Sequence, residues 1–87
     1  MNTALSFFEY SKTIWLMLSK EVFTQKIAKK IKTIRESKNI SQEELAYRAG
    51  LYRTYIGHLE NARYSPSAFV LYKIAEALQV DYSTFIK

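Results

Sequence analysis

The stretch SQEELAYRAGLYRTYIGHLE, residues 41–60, decides the fold of this 87-residue chain. It opens with Ser41, whose hydroxyl can cap the first amides of a helix, and an acidic residue stands three positions later, as a capping box requires. Gly50 is placed to end that short helix in the left-handed conformation. A second helical pattern follows at once over residues 52–61. The stretch therefore predicts two short helices joined by a tight turn.

Helical patterns continue on both sides of this pair. Before it, three- and four-residue steps join the apolar residues Phe23, Ile27, Ile31 and Ile34. After it, Ser65 and Pro66 predict the cap and first position of a fourth helix. The inner stripe of that helix would be Val70, Leu71, Ile74, Ala75 and Leu78. Asp81 is predicted to cap a last short helix that carries Phe85 and Ile86.

The fold class predicted is all-α: a compact five-helix helix-turn-helix DNA-binding domain over residues 23–87, with an extra N-terminal helix. Residues 1–22 form the N-terminal extension, in which one helical stripe joins Phe7, Tyr10, Ile14, Met17, Leu18 and Glu21. We expect this helix to pack on the domain and to contribute to a dimer interface. The alternative is that translation begins at Met17, so that the protein starts at the next helix.

Charge and composition narrow the class of partner. The net charge is +5, and all of the excess lies in residues 23–87, which favours a polyanionic partner such as nucleic acid. The apolar run over residues 14–18 is far short of the roughly 20 residues that a membrane span needs. The chain has no cysteine and one histidine, so a zinc site is not expected, and the composition fits a cytoplasmic protein.

An enzyme is not predicted. The sequence offers no acid pair, metal-ligand cluster or phosphate-binding loop, and the single histidine has no nucleophile or acid at a suggestive spacing. We therefore expect no catalytic residue, no metal and no cofactor.

The third helix carries the residues expected to read DNA. On a helical wheel its apolar residues form one arc, and the opposite arc is polar, as in a recognition helix that enters the major groove. The predicted base-reading residues are Arg53, Thr54, Gly57 and His58. An arginine can donate two hydrogen bonds to a guanine, and a glycine allows the helix backbone to approach the bases. An ordinary solvated face is the alternative interpretation of this arc.

Phosphate contacts are expected around this helix. Gln42 opens the second helix, where its side chain and the free amides can meet a phosphate oxygen. Tyr55 lies at the border of the buried arc, from which its hydroxyl can reach DNA. The other predicted phosphate contacts follow the reading helix and are Asn61, Arg63 and Tyr64.

Three segments resemble the phage-repressor and Cro-like helix-turn-helix family, often called Xre: IRESKNISQEELAYRAGL, YIGHLENARYSPS and LYKIAEALQV. The resemblance implies a phosphate contact for Gln42 and base contacts for Arg53, Thr54 and His58. It also implies a buried structural ion pair between Arg35 and Glu60. Ala62 stands where the family usually has glycine. The phrase LYRTYIGHLENARYSPS is further similar to controller proteins of restriction-modification systems.

These expectations combine into one functional hypothesis. The chain is expected to be a sequence-specific DNA-binding transcriptional regulator, a repressor or controller protein, that binds a palindromic operator as a homodimer. Its partner is double-stranded DNA, with no small-molecule effector evident and no membrane. The alternative is an antitoxin-like or other protein-interaction helix-turn-helix module.

Overall fold

The computed structural model describes the backbone of residues 3–86 and the side chains of residues 20–86. Within that part of the chain there are five helices and no strand: α1 Thr3–Ser37, α2 Gln42–Ala49, α3 Arg53–Glu60, α4 Ala68–Leu78 and α5 Ser83–Ile86. The all-helical fold class predicted from the sequence is confirmed.

The first helix is far longer than the others. α1 has 35 residues and is about 52 Å long at 1.5 Å per residue, in a molecule whose longest dimension is 59 Å. Residues 3–22 of the predicted N-terminal extension lie within α1 itself, so they continue directly into the first helix of the domain and do not form a separate helix. No helix among the described residues is both long and apolar enough to cross a membrane.

Among the described side chains of α1, the buried ones begin at Thr24 and lie on one face of the helix. Ile27 and Ile31 are almost fully buried, as their spacing predicts. Phe23 was expected on the same face but is 45% exposed, because it lies at the edge of the surface that the other helices cover. The apolar stripe predicted from Phe7 to Leu18 consists of side chains outside the described residues.

The core gathers side chains from every helix. α2 packs against α3 and α4, while α1 contacts α3, α4 and α5. Burying one such aliphatic or aromatic side chain contributes about 1.5–3 kcal/mol. The largest side chains that are fully buried are Ile27, Ile31, Leu45, Ile56, Leu59, Ile74, Leu78 and Phe85. This core fixes the positions of the two short helices α2 and α3.

The boundaries of α2 follow from local capping chemistry. The Ser41 hydroxyl accepts a hydrogen bond of 3.0 Å from the Glu44 amide, which is the predicted N-cap. At the other end Gly50 has a φ of 68°, in the left-handed region that only glycine adopts without strain. The chain then turns directly into α3, and Tyr52 is the residue before its first turn.

The start of α4 differs from the prediction. Ser65 and Pro66 were expected to open this helix, but Ser67 is its N-cap, and the Ser67 hydroxyl accepts a hydrogen bond of 3.1 Å from the Val70 amide. Ser65 and Pro66 instead belong to the loop between α3 and α4. Near the C-terminus, the Asp81 carboxylate accepts from the Ser83 amide at 2.8 Å, as predicted for the cap of α5.

Candidate nucleic-acid interface

A shallow groove of about 320 Å³ collects most of the residues predicted to contact DNA. All four predicted base-reading residues line it, together with three of the predicted phosphate contacts. The lining residues are Gln42, Arg53, Thr54, Gly57, His58, Asn61 and Arg63. None of these described lining residues is acidic. Tyr55 and Tyr64 are not part of the lining.

The two faces of α3 explain how this groove forms. Ile56 and Leu59 point into the core and are at most 1% exposed. Arg53 and Thr54, on the opposite face, are exposed to solvent at the start of the helix. The burial of one face therefore holds the polar face outward, where a nucleic acid can reach it.

Gly57 keeps the middle of the groove open. A Cβ atom placed at this residue would lie 3.9 Å from the Gln42 Oε1 atom, which is ordinary van der Waals contact. The fold itself therefore has room for a methyl group at this position. Packing against another helix therefore does not require a glycine at this position.

Beneath the groove, Arg35 and Glu60 form a buried ion pair. Arg35 Nε donates to Glu60 Oε2 at 2.6 Å, and Nη2 donates to Glu60 Oε1 at 2.9 Å. Arg35 Nη1 also donates to the carbonyl of Ile40 at 2.8 Å. The hydrogen bond with Glu60 raises the pKa of the Arg35 guanidinium, with burial acting in the opposite direction. The pair joins α1 to α3 and to the loop before α2.

Gln42 is attached to the same pair. Its Nε2 atom donates a hydrogen bond of 3.0 Å to Glu60 Oε1, and its side chain is half-buried. The residue predicted to contact phosphate thus also connects the first turn of α2 to the last residue of α3. This second role was not predicted from the sequence, because it depends on how α2 and α3 pack.

Three aromatic rings meet at the end of the groove. The Tyr64 ring lies edge-to-face with the His58 imidazole, with centroids 5.2 Å apart and planes at 80°. It also stacks on Tyr55, with centroids 6.1 Å apart and planes at 28°. We call these three residues the aromatic cluster. Helical spacing relates Tyr55 to His58, but nothing in the sequence pattern places Tyr64 against them.

A second depression, of about 500 Å³, adjoins the groove on the side of α1. Arg63 lines both depressions, so they share one wall. The other residues around the second depression are Lys20, Glu21, Thr24, Gln25, Ala62, Tyr64 and Ser65. The exposed guanidinium of Arg63 therefore stands between the groove and α1.

Among the residues whose side chains are described, no group of three His, Cys, Asp or Glu side chains could hold a metal ion. All buried side-chain nitrogen and oxygen atoms in this part of the chain have hydrogen-bond partners.

Curated relatives share the segment that contains this groove. The chain is 35% identical over 60 residues to the immunity repressor protein of Bacillus phage phi105, covering 69% of this chain and 42% of that protein. It is 38% identical over 52 residues to the control protein C.SmaI of Serratia marcescens, covering 60% and 62% of the two chains. The chain therefore spans less than two thirds of the length of these relatives.

Solved structures share the fold over a larger part of their length. The restriction-modification controller protein C.AhdI from Aeromonas hydrophila superposes with a TM-score of 0.70 at 31% identity, over 71% of this chain and 94% of that one. The wild-type controller protein C.Esp1396I gives a TM-score of 0.69 at 34% identity, over 74% and 83%. The helix-turn-helix family model matches residues 31–85, which include the groove and the buried ion pair. The chain therefore belongs to the helix-turn-helix family.

Proposed function

We propose that this protein is a sequence-specific DNA-binding transcriptional regulator. The observation that carries the proposal is the groove itself. Residues from α2, α3 and the following loop converge there with no acidic side chain among its described lining residues. Such a surface suits the base edges and phosphates of duplex DNA. The excess positive charge of residues 23–87 supports the same partner.

Base reading is assigned to the face of α3 that lines the groove. Arg53, exposed at the start of the helix, is suited to donate two hydrogen bonds to the O6 and N7 atoms of a guanine. Thr54 offers a hydroxyl to a base edge or a methyl group to thymine. His58 lies about one turn further along, and Gly57 lets the backbone approach the bases.

Phosphate binding is assigned to the residues at the ends of the groove. Arg63 is exposed beyond α3 and can pair with a phosphate, while Asn61 at the C-cap can donate a hydrogen bond. Gln42 donates one N–H of its Nε2 group to Glu60, so its second N–H and the free amides at the start of α2 are available to a phosphate. Tyr55 and Tyr64 do not line the groove, and their predicted phosphate contacts are not part of this proposal.

We further propose that the protein acts as a homodimer on a palindromic operator. Exposed apolar side chains on α4 and α5 support a protein contact there, since Phe69 is 68% exposed and Tyr72 and Ile86 are each 51% exposed. A two-fold dimer presents two copies of α3 to two half-sites of inverted sequence. The similarity to controller proteins favours restriction-modification genes as the target, in the cytoplasm.

The test is selection of binding sites from random-sequence duplex DNA, with sedimentation of the protein alone. The proposal expects a dimer and an enriched inverted repeat, whose binding weakens steeply as salt increases. A protein that enriches no sequence, and that binds mixed DNA no better than a neutral protein does, would instead be a protein-interaction module.

A further inference from the structure

The aromatic cluster of Tyr55, His58 and Tyr64 joins a residue of the groove to two residues outside its lining. His58 lines the groove, while Tyr64 does not. Tyr64 is 51% exposed and lies in the loop after α3, yet its ring is in contact with both of the other rings. The contact between this half-exposed ring and His58, a predicted base-reading residue, therefore suggests a role in DNA recognition.

The position of Tyr64 is set by the backbone that follows α3. Ala62 has a φ of 59°, in the left-handed region, and this reverses the direction of the chain. The Arg63 amide then donates to the His58 carbonyl at 2.9 Å, so the loop lies back against the last turn of α3. These contacts bring Tyr64 over the helix that carries His58.

The imidazole has few other constraints. His58 lines the groove, and its side chain makes no hydrogen bond to another described residue. The edge-to-face contact with Tyr64 is therefore the interaction that restricts the rotamer of His58. The Tyr55 ring stacks on the Tyr64 ring, and this contact restricts the position of Tyr64.

We propose that Tyr64 is a positioning residue for base reading, whose ring holds the His58 imidazole toward a hydrogen-bond acceptor on a base edge. This inference rests on the proposed DNA-binding function. It assigns the importance of Tyr64 to its aromatic face and not to a phosphate contact through its hydroxyl group. A His58 side chain held in advance loses less rotamer freedom when it binds a base.

Three substitutions of Tyr64 separate these roles. Tyr64→Phe keeps the ring and removes the hydroxyl, Tyr64→Leu keeps apolar bulk without a flat face, and Tyr64→Ala removes both. The probe is the duplex that the parent protein selects from random DNA, with a set of duplexes that each change one base pair. Thermal unfolding of each variant shows that it is folded at the temperature of the binding assay.

The proposal expects Tyr64→Phe to bind like the parent. Tyr64→Leu and Tyr64→Ala should lose about two- to tenfold in affinity, the size of an aromatic pair contact. Their loss of sequence preference should fall on the base pair at which His58→Ala also loses preference. Adding Tyr64→Ala to His58→Ala should change affinity little, because the two residues act as one unit.

Three outcomes would overturn the proposal. Tyr64→Phe could lose as much affinity as Tyr64→Ala, which would assign the role to the hydroxyl and a phosphate. Tyr64→Leu could bind like the parent, which would show that apolar bulk is enough and that the aromatic face has no role. The losses of binding free energy caused by Tyr64→Ala and His58→Ala could be additive, which would show that the two residues act independently. If the parent itself selects no sequence, the proposed function fails, and that result is distinct from all three.

Discussion

Arg35 and Glu60 are joined by two parallel hydrogen bonds, of 2.6 Å and 2.9 Å, that connect α1 to the last residue of α3 beneath the groove. Gln42 adds a third bond to the same carboxylate at 3.0 Å. The surface proposed to bind DNA is thus supported from below by a buried polar network. Its orientation depends in part on Arg35 and Glu60, which do not line the groove.

Glu60→Ala is expected to lower the free energy of unfolding by about 3–5 kcal/mol, because it leaves the Arg35 guanidinium buried without its partner. Urea unfolding followed by circular dichroism measures this. Glu44→Ala is the matched control, since it removes the exposed Glu44–Arg48 pair of 2.8 Å and should cost at most about 1 kcal/mol. Equal losses of unfolding free energy for the two variants would show that the buried pair stabilises the fold no more than the exposed pair does.

Ala62→Gly is expected to stabilise the protein by about 1 kcal/mol. Ala62 has a φ of 59°, a conformation that disfavours residues with a Cβ atom and suits glycine. Gly50→Ala, at a φ of 68°, is the reciprocal control and should destabilise for the same reason. Thermal melting compares the two variants with the parent. A lower melting temperature for Ala62→Gly would mean that the turn after α3 is not strained.

Arg63→Ala is expected to weaken binding to all DNA sequences alike and to reduce the salt slope by about one unit, because it removes one phosphate contact. The measurement is the dissociation constant at several salt concentrations on operator and random duplexes. Lys26→Ala makes the same change of charge at a depression on α1 that contains none of the groove residues. If both variants lower the slope equally, Arg63 acts only through net charge.

Local features of the fold were the most predictable from the sequence. Ser41 and Gly50 mark the ends of α2 because capping and left-handed turns are short-range chemistry. The start of α4 was misplaced because Ser65 and Ser67 are both competent caps, and the path of the chain from α3 decides between them. The contact of Tyr64 with α3 could not be predicted from the sequence, because it depends on the direction of the turn at Ala62 and not on helical spacing.

Removal of the N-terminal residues is expected to affect dimerisation and DNA binding more than folding. A protein that begins at Met17 keeps every buried residue described in α1, because these begin at Thr24, so it should still fold. We expect it to dimerise more weakly and to bind the operator with lower affinity, since the sequence predicts that the extension contributes to the dimer interface. Sedimentation and operator binding measure the two effects. An unchanged dimer with unchanged affinity would make the extension dispensable.

The central claim is that α3 reads DNA sequence, and Arg53→Ala tests it most directly. Arg53 is exposed and lines the groove, so its loss should leave the fold intact. The measurement compares binding of parent and variant to the selected operator, to single base-pair changes of it and to random DNA. We expect a loss of about 1–3 kcal/mol on the operator, relaxed preference at one G·C pair and little change on random DNA. Equal losses on operator and random DNA would contradict the claim, because Arg53 would then contact only phosphate.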